Sequence, residues 1–296
     1  MIFLLHGKKN SKQINAQIQC FIKELYNKKY TILYTTSFYK HIKKDVAKYN
    51  NHNIRTISSI DEINGKIDYL ICFGGDGTIL NASTIVKNSE TPIVGINTGR
   101  LGFLATISKD KLSTLLDSLT NKNYKLSKRT LLNIESNNNI IQNPFALNEI
   151  SICAKENTSM INIKVLLNEE YLNTYWADGV IVSTPTGSTG YSLSCGGPIV
   201  MPESNNFVIT PIAPHNLNVR PLVISDEHVI TIEVLGKNIR KYLLSMDSRS
   251  QYINKNLSIR IKKASYNIKL VEIDSINYSK TLREKLLWGL DKRNNE

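Results

Sequence analysis

The residues with the clearest chemical potential lie in Asp68–Leu80, DYLICFGGDGTIL. An apolar run, Tyr69-Leu70-Ile71-Cys72-Phe73, stops at Gly74-Gly75-Asp76-Gly77-Thr78. Glycines after a strand let backbone N–H groups approach a phosphate. The pattern is not GxxxxGK[ST], no lysine follows it to reach phosphates, and it is not GxGxxG. Asp76 is the discordant residue, because an anion repels phosphate. A carboxylate beside phosphates is costly unless a metal or a hydroxyl donor offsets it. Two roles suit it: accepting a proton from a substrate hydroxyl, or acting through Mg²⁺. A tight turn with Asp76 as turn former is the plain structural alternative.

Further stretches carry the same kind of signal. Gly95-Ile96-Asn97-Thr98-Gly99-Arg100-Leu101-Gly102-Phe103 also follows an apolar run. Its glycines allow close approach to a ligand, and Arg100 either meets phosphate or is solvated in a plain link. Asn148-Glu149 reads as a surface turn, or as an amide and a carboxylate that recognise a nucleoside through base nitrogens and ribose hydroxyls. Trp176–Met201, WADGVIVSTPTGSTGYSLSCGGPIVM, is rich in hydroxyls and low in charge, with Tyr191 inside. That suits a neutral or zwitterionic polar ligand with rings to stack. Flanking apolar strands, Pro185 and Pro198 argue against a flexible linker. His215, in PIAPHNLNVRPL, reads as a hydrogen-bonded structural residue. Asp247, in SMDSRS, either contacts substrate or caps a turn.

These loops need a scaffold, and the first third of the chain supplies an alternating one. Ile2–Leu5, Tyr30–Tyr34, Tyr69–Phe73 and Pro92–Ile96 read as strands. Ser11–Asn27 reads as a helix, with Ile14, Ile18, Phe21, Ile22 and Leu25 at helical spacing. Weaker helices follow at 37–49, from Thr78 to Lys87, and at 108–120. Strands alternating with helices predict an open parallel α/β sheet. Near Ser127 the texture changes. INIKVLLN, HVITIEVLG and LSIRIKKA alternate apolar and polar residues, which predicts an antiparallel, β-sandwich-like domain. The expected division is 1–126, with a returning tail 275–296, and 127–274. A tail helix over Thr281–Lys292 is expected to turn Leu282, Leu286 and Leu287 inward.

The 296-residue chain is long enough for one large or two ordinary domains. Hydrophobic residues at 41% and charged residues at 21% fit a globular protein. No apolar run approaches the roughly 18 residues of a membrane span. MIFLLHGKKN is too briefly apolar for a signal peptide, so the expected location is the cytoplasm. Cys20, Cys72, Cys153 and Cys195 show no metal-binding spacing. The net charge of +12 comes with abundant Asn, Ile and Tyr and no dense arginine stripe. Neither nucleic acid nor a membrane surface is the expected partner; an anionic substrate is.

Taken together, GGDGT, GINTGRLGF, NE at 148–149, ADGVIVSTPTGSTGYSLSCGGPIV and ITPIAPHNLNVRPLVI resemble the NAD kinase family. The resemblance runs from about Tyr69 to Asp247, with the TLREKLLWG tail. GGDGT alone is shared with phosphofructokinases and with diacylglycerol and sphingosine kinases; the STPTGSTGYSLS run is specific. The resemblance implies ATP- or polyphosphate-dependent phosphorylation of the 2′-hydroxyl of NAD's adenosine ribose, with Mg²⁺, in a homodimer or homotetramer. It implies Asp76 as the catalytic acid residue, with Gly74, Gly75 and Arg100 toward the phosphate donor. It places Gly77, Phe103, Asn148, Glu149, Asp178, Thr186, Thr189, Gly190, Tyr191, Ser194 and Asp247 toward NAD. Two positions depart from the family pattern: Gly190 stands where many members have Ala, and Arg249 where many have Gln. A lipid kinase of the diacylglycerol or sphingosine type, or a non-catalytic NAD-sensing module, are the alternatives.

Overall fold

The computed structural model describes residues 1–46, 55–63, 65–99, 101–135, 141–154, 160–236, 239–254, 256–273 and 278–287. The chain forms two compact units, residues 1–128 with 268–296, and residues 129–267.

The first unit opens with β1 (Ile2–Gly7), α1 (Lys12–Asn27), β2 (Thr31–Thr35), α2 (Thr36–Val46) and β3 (Arg55–Ile57). It continues with β4 (Tyr69–Phe73), α3 (Asp76–Val86), β5 (Ile93–Asn97), β6 (Ile107–Ser108), α4 (Leu112–Thr120) and β7 (Lys125–Arg129). The second unit contains β8 (Leu132–Glu135), β9 (Phe145–Ala146), β10 (Glu149–Ala154), β11 (Ile161–Leu167), β12 (Glu170–Ala177) and β13 (Gly179–Ser183). A short helix α5 (Tyr191–Ser194) precedes β14 (Asn206–Ile212), β15 (Leu222–Ser225), β16 (Ile230–Leu235), β17 (Lys241–Met246), β18 (Arg249–Asn254) and β19 (Ile259–Lys263). The chain then returns to the first unit through β20 (Ile268–Glu272) and α6 (Tyr278–Leu286).

The first sheet runs β3-β2-β1-β4-β5-β20-β7, with β6 beside β5. The pairs β1–β2, β1–β4, β2–β3, β4–β5, β5–β6 and β5–β20 are all parallel. Every residue of β4 and of β5 is buried, as in parallel strands covered on both faces. The strand order reverses between β1 and β4. At such a switch point the connecting loops diverge and leave a crevice at the carboxyl ends of the two strands.

Helix α1 forms because its apolar residues recur every three or four positions, and the predicted five, Ile14, Ile18, Phe21, Ile22 and Leu25, are the buried ones. Ser11 Oγ caps it by accepting from Ile14 N at 3.4 Å. Phe21 packs edge-on against Phe73 of β4, with centroids 6.2 Å apart, and so seats the helix on the strand that ends in the glycine turn.

The second unit has two six-stranded sheets, β15-β14-β13-β10-β17-β18 and β12-β11-β16-β19-β8-β9. The strand pairs reported in both are antiparallel. One apolar cluster draws Ile150, Ile152, Val180, Val182 and Leu244 from the first sheet and Ile163, Val165, Ile232, Ile259 and Ile261 from the second. This is the expected sandwich, and the parallel α/β unit is also as the sequence predicts.

Some details differ. Helix α3 begins at Asp76, two residues before the expected start, because the chain turns helical directly after Gly75. β7 straddles the texture change near Ser127 and lies in the first sheet. β20 alternates like its predecessors yet pairs with β5. In α6, Leu282 is buried, but Leu287 lies past the helix end at φ 58° and is 65% exposed. The remainder of the expected tail helix, 288–292, and the Asn-rich turn around Asn137 lie outside the described residues.

Phe21→Ala removes a large side chain that is 2% exposed. It should cost about 3–5 kcal/mol of stability in the first unit, read as a lower urea midpoint for that transition.

Candidate active site

The first unit presents one group of the candidate residues. The turn after β4 sets Asp76 in the first turn of α3, where the helix dipole favours an anion. Its carboxylate bends away from the turn and is gripped by three consecutive backbone amides. Phe103 N donates to Oδ2 at 2.8 Å, while Leu104 N and Ala105 N donate to Oδ1 at 2.9 and 3.0 Å. A carboxylate offers about four lone-pair positions. Three are taken here, and one on Oδ2 remains for a hydroxyl. Gly102 makes the grip possible: a Cβ there would stand 1.9 Å from Asp76 Oδ1. The charge problem raised by the sequence therefore has a structural answer. Peptide dipoles of the 103–105 segment offset the anion before any cation arrives.

Gly75 and Gly77 are exposed beside Asp76, and Gly74 is buried. Gly74 N donates to Ile96 O at 3.0 Å, which fixes the turn against β5. Thr78 lies under this turn, 1% exposed, and its hydroxyl has no hydrogen-bond partner among the described residues. Phe103 is half-buried against the returning helix, with its ring centroid 6.1 Å from that of Tyr278 and Lys285 Nζ 5.8 Å above it. Arg100, expected toward the phosphate donor, lies outside the described residues.

The second unit holds the other group. Asp247 sits in the two-residue turn between β17 and β18 with φ 52°, a conformation that Asp tolerates better than most residues. Its carboxylate is 1% exposed and repeats the device seen at Asp76. Leu147 N, Asn148 N and Glu149 N donate to it at 3.0, 2.7 and 3.3 Å. Of the two readings open for Asp247, the geometry favours the structural one: the side chain holds the 147–149 backbone. Arg249, the second departure from the family pattern, lies beside it. Its guanidinium lies 3.7 Å from Asp247 Oδ2 and donates to the carbonyls of Asn143 and Phe145.

Held this way, Asn148 keeps a buried Oδ1 with no hydrogen-bond partner among the described residues. Glu149 Oε2 accepts from Tyr191 N at 3.4 Å. The same oxygen fills the space beside Gly190, 2.7 Å from where an alanine Cβ would stand. The glycine thus lets the carboxylate sit against the loop. Burial pushes the Glu149 pKa up from 4.5 to about 7, and the charge of Asp247 adds to the rise; the Tyr191 N–H opposes it. Burial also raises the Tyr191 phenol, with Cys153, Cys195, Asp178 and Glu149 adding to it. Tyr191 is 42% exposed and its backbone N–H meets the Glu149 carboxyl.

Other hydroxyls of the Trp176–Met201 run are spent on the loop itself. Thr184 Oγ1 donates to Leu147 O at 2.6 Å, Ser188 Oγ bridges to Pro185 O and Val200 O, and Ser192 Oγ meets Thr210 Oγ1 at 2.8 Å. Thr186 is buried and its carbonyl accepts from Thr189 Oγ1 at 3.3 Å. Asp178, between β12 and β13, and Ser194, ending α5, are exposed. His215 packs against Trp176 with centroids 4.1 Å apart and the ring planes tilted by 33°, which fits a structural residue. Cys72 is buried in β4, and burial raises its thiol well above the ordinary range. The sequence reading missed the roles of Gly102, Thr184 and Ser188 and the grip of Asp247. Gly102 acts by lacking a Cβ, and the others act on backbone groups, which every residue has.

An α/β unit with an acid-bearing glycine turn at a switch point, in one chain with a β unit that carries a hydroxyl-rich loop, is the make-up of a nucleotide-using phosphotransferase. Residues 1–124 match the ATP-NAD kinase N-terminal domain, and residues 147–273 match the ATP-NAD kinase C-terminal domain. An NAD kinase of Cytophaga hutchinsonii is 43% identical over 295 residues, 99% of this chain and 100% of that protein. Among solved structures, yeast NADH kinase complexed with NADH aligns with TM-score 0.89 at 23% identity, covering 100% of this chain and 90% of that one. An NAD kinase from Archaeoglobus fulgidus in complex with ATP aligns with TM-score 0.73 at 24% identity, covering 97% and 99%. The chain belongs to the NAD kinase family.

The raised Glu149 carboxyl gives a signed prediction. Its folded pKa of about 7 exceeds the ordinary 4.5, so the stability it contributes is lost as pH rises through about 7. Glu149→Gln should therefore raise the melting temperature of the ligand-free chain more at pH 8 than at pH 5. An equal shift at both would contradict the assignment.

Proposed function

We propose that the chain transfers a phosphoryl group from ATP, or from polyphosphate, to the 2′-hydroxyl of NAD's adenosine ribose, giving NADP. The observation that carries this reading is the Asp76 carboxylate, fixed by three amides with one acceptor position left on Oδ2. A carboxylate held so firmly is suited to orient a hydroxyl and take its proton as the phosphoryl group arrives. The first-turn N–H groups of α3 and the small residues Gly74, Gly75 and Gly77 suit donor phosphates. Asn148 Oδ1, the Glu149 carboxyl and the Tyr191 ring suit the adenosine of NAD, by hydrogen bonding and stacking. Asp178, Thr186, Thr189, Gly190 and Ser194 would complete that region, Phe103 would flank the dinucleotide, and Asp247 would support it from behind.

Phosphoryl transfer rests on alignment and charge neutralisation. Bound magnesium would supply the second of these. Among the described residues no three His, Cys, Asp or Glu side chains converge on a metal position. The family also supports a homodimer or homotetramer in the cytoplasm. Among the described residues no helix is long and apolar enough to cross a membrane. The lipid-kinase and NAD-sensing alternatives find no support in the relatives or the solved structures.

Incubating the chain with NAD, ATP and Mg²⁺ should yield NADP, and a parallel arm with polyphosphate reads the donor. No NADP in either arm would overturn the reading. In Asp76→Asn an amide N–H would face the Phe103 N–H and the proton acceptor would be lost. Its kcat should fall by at least about 10²; turnover near the parent value would contradict the role of Asp76.

A further inference from the structure

We propose that Lys8 binds the phosphate donor, its ammonium engaging the donor's phosphate chain at the N-terminus of α3. The inference rests on the phosphotransfer reading above and adds to it a cation that the glycine turn itself lacks.

Topology brings Lys8 there. β1 and β4 pair in parallel, with Gly7 opposite Phe73, so the residue after β1 emerges beside the turn after β4. These two strands flank the switch point, where the sheet leaves its ligand crevice. Lys8 N donates to Phe73 O at 3.4 Å, and Asn10 Nδ2 donates to Lys8 O at 2.9 Å, which fixes the Lys8 backbone from both sides. The ammonium Nζ lies 3.6 Å from where a Gly77 Cβ would stand.

Three observations point to an anion at this place. First, Lys8 Nζ has no hydrogen bond or ion pair among the described residues. The carboxylate in the same turn, Asp76, is committed to the 103–105 amides and is not paired with it. Second, a cation beside the positive end of a helix is electrostatically unfavourable. The Asp76 and Gly77 N–H groups of that helix end also lack carbonyl partners among the described residues. A phosphate would satisfy the ammonium and both amides together. Third, the Thr78 hydroxyl, 1% exposed and unpartnered, lies under the same turn against Gly74. The Lys8 charge is also felt at His6, buried in β1. Burial chiefly, and Lys8 next, lower the His6 pKa to about 4.

The test uses the full chain and inorganic tripolyphosphate with Mg²⁺ as probe. Calorimetry would compare the parent with Lys8→Met and Lys8→Arg, and each melting temperature and NAD affinity would be measured alongside. The proposal expects at least tenfold weaker tripolyphosphate binding in Lys8→Met, restored to within about threefold in Lys8→Arg. NAD affinity should be unchanged, and the Lys8→Met melting temperature should be equal or higher, because a cation at a helix N-terminus has been removed. Kinetically, the KM for ATP should rise at least tenfold with a smaller change in kcat. Tripolyphosphate binding within twofold of the parent in Lys8→Met, or no binding by the parent, would overturn it. So would parallel losses of stability and NAD affinity that arginine does not restore, which would make Lys8 structural. NADP formation by the parent chain, assayed separately, tests the phosphotransfer reading, so the two failures are distinguishable.

Discussion

The first unit's site depends on one interaction, the grip of three consecutive amides on the Asp76 carboxylate. It reconciles a negative charge with a glycine turn of the kind that suits phosphates. Each bond of this kind, between an ionised acceptor and a backbone donor, is worth about 1.5–3 kcal/mol. Together they hold the 103–105 segment against α3 and leave one oxygen position with a defined direction. Catalysis by alignment needs that fixity more than it needs a strong base. Gly102 serves the same interaction, because no larger residue leaves room for the oxygen.

The second unit uses the device again, with a different consequence. Asp247 is buried and spends its carboxylate on the amides of Leu147, Asn148 and Glu149. The grip turns the Asn148 and Glu149 side chains toward Gly190 and Tyr191, and the price is a second carboxyl confined near the first. Burial and this neighbour push the Glu149 pKa toward neutrality. A carboxyl that titrates near pH 7 can donate or accept a hydrogen bond, which suits recognition of sugar hydroxyls.

Much of this was legible in the sequence. Buried parallel strands read as unbroken apolar runs, as in Tyr69–Phe73, and sandwich strands as alternation, as in Ile161–Leu167. The glycine turn and the hydroxyl-rich run named themselves by composition. What stayed hidden was partnership. Asp76 meets amides 27 to 29 positions away, and Asp247 meets amides 98 to 100 positions away. A backbone N–H leaves no mark in the sequence, so the acceptor was visible and the donors were not. Lys8 is hidden for a related reason: a phosphate motif is read along the chain, and the fold brings this lysine from the end of the neighbouring strand β1. β20 shows the limit of periodicity, which marks a strand without saying which sheet it joins.

The account turns on the Asp76 grip, and amide hydrogen exchange at Phe103, Leu104 and Ala105 reads it directly. Exchange would be followed residue by residue in the parent chain and in Asp76→Ala, with the amides of α1 as internal reference. Loss of the carboxylate should speed exchange at all three amides by at least tenfold and leave α1 unchanged. Equal protection in the two proteins would show that the segment holds itself, and that the carboxylate is not its anchor.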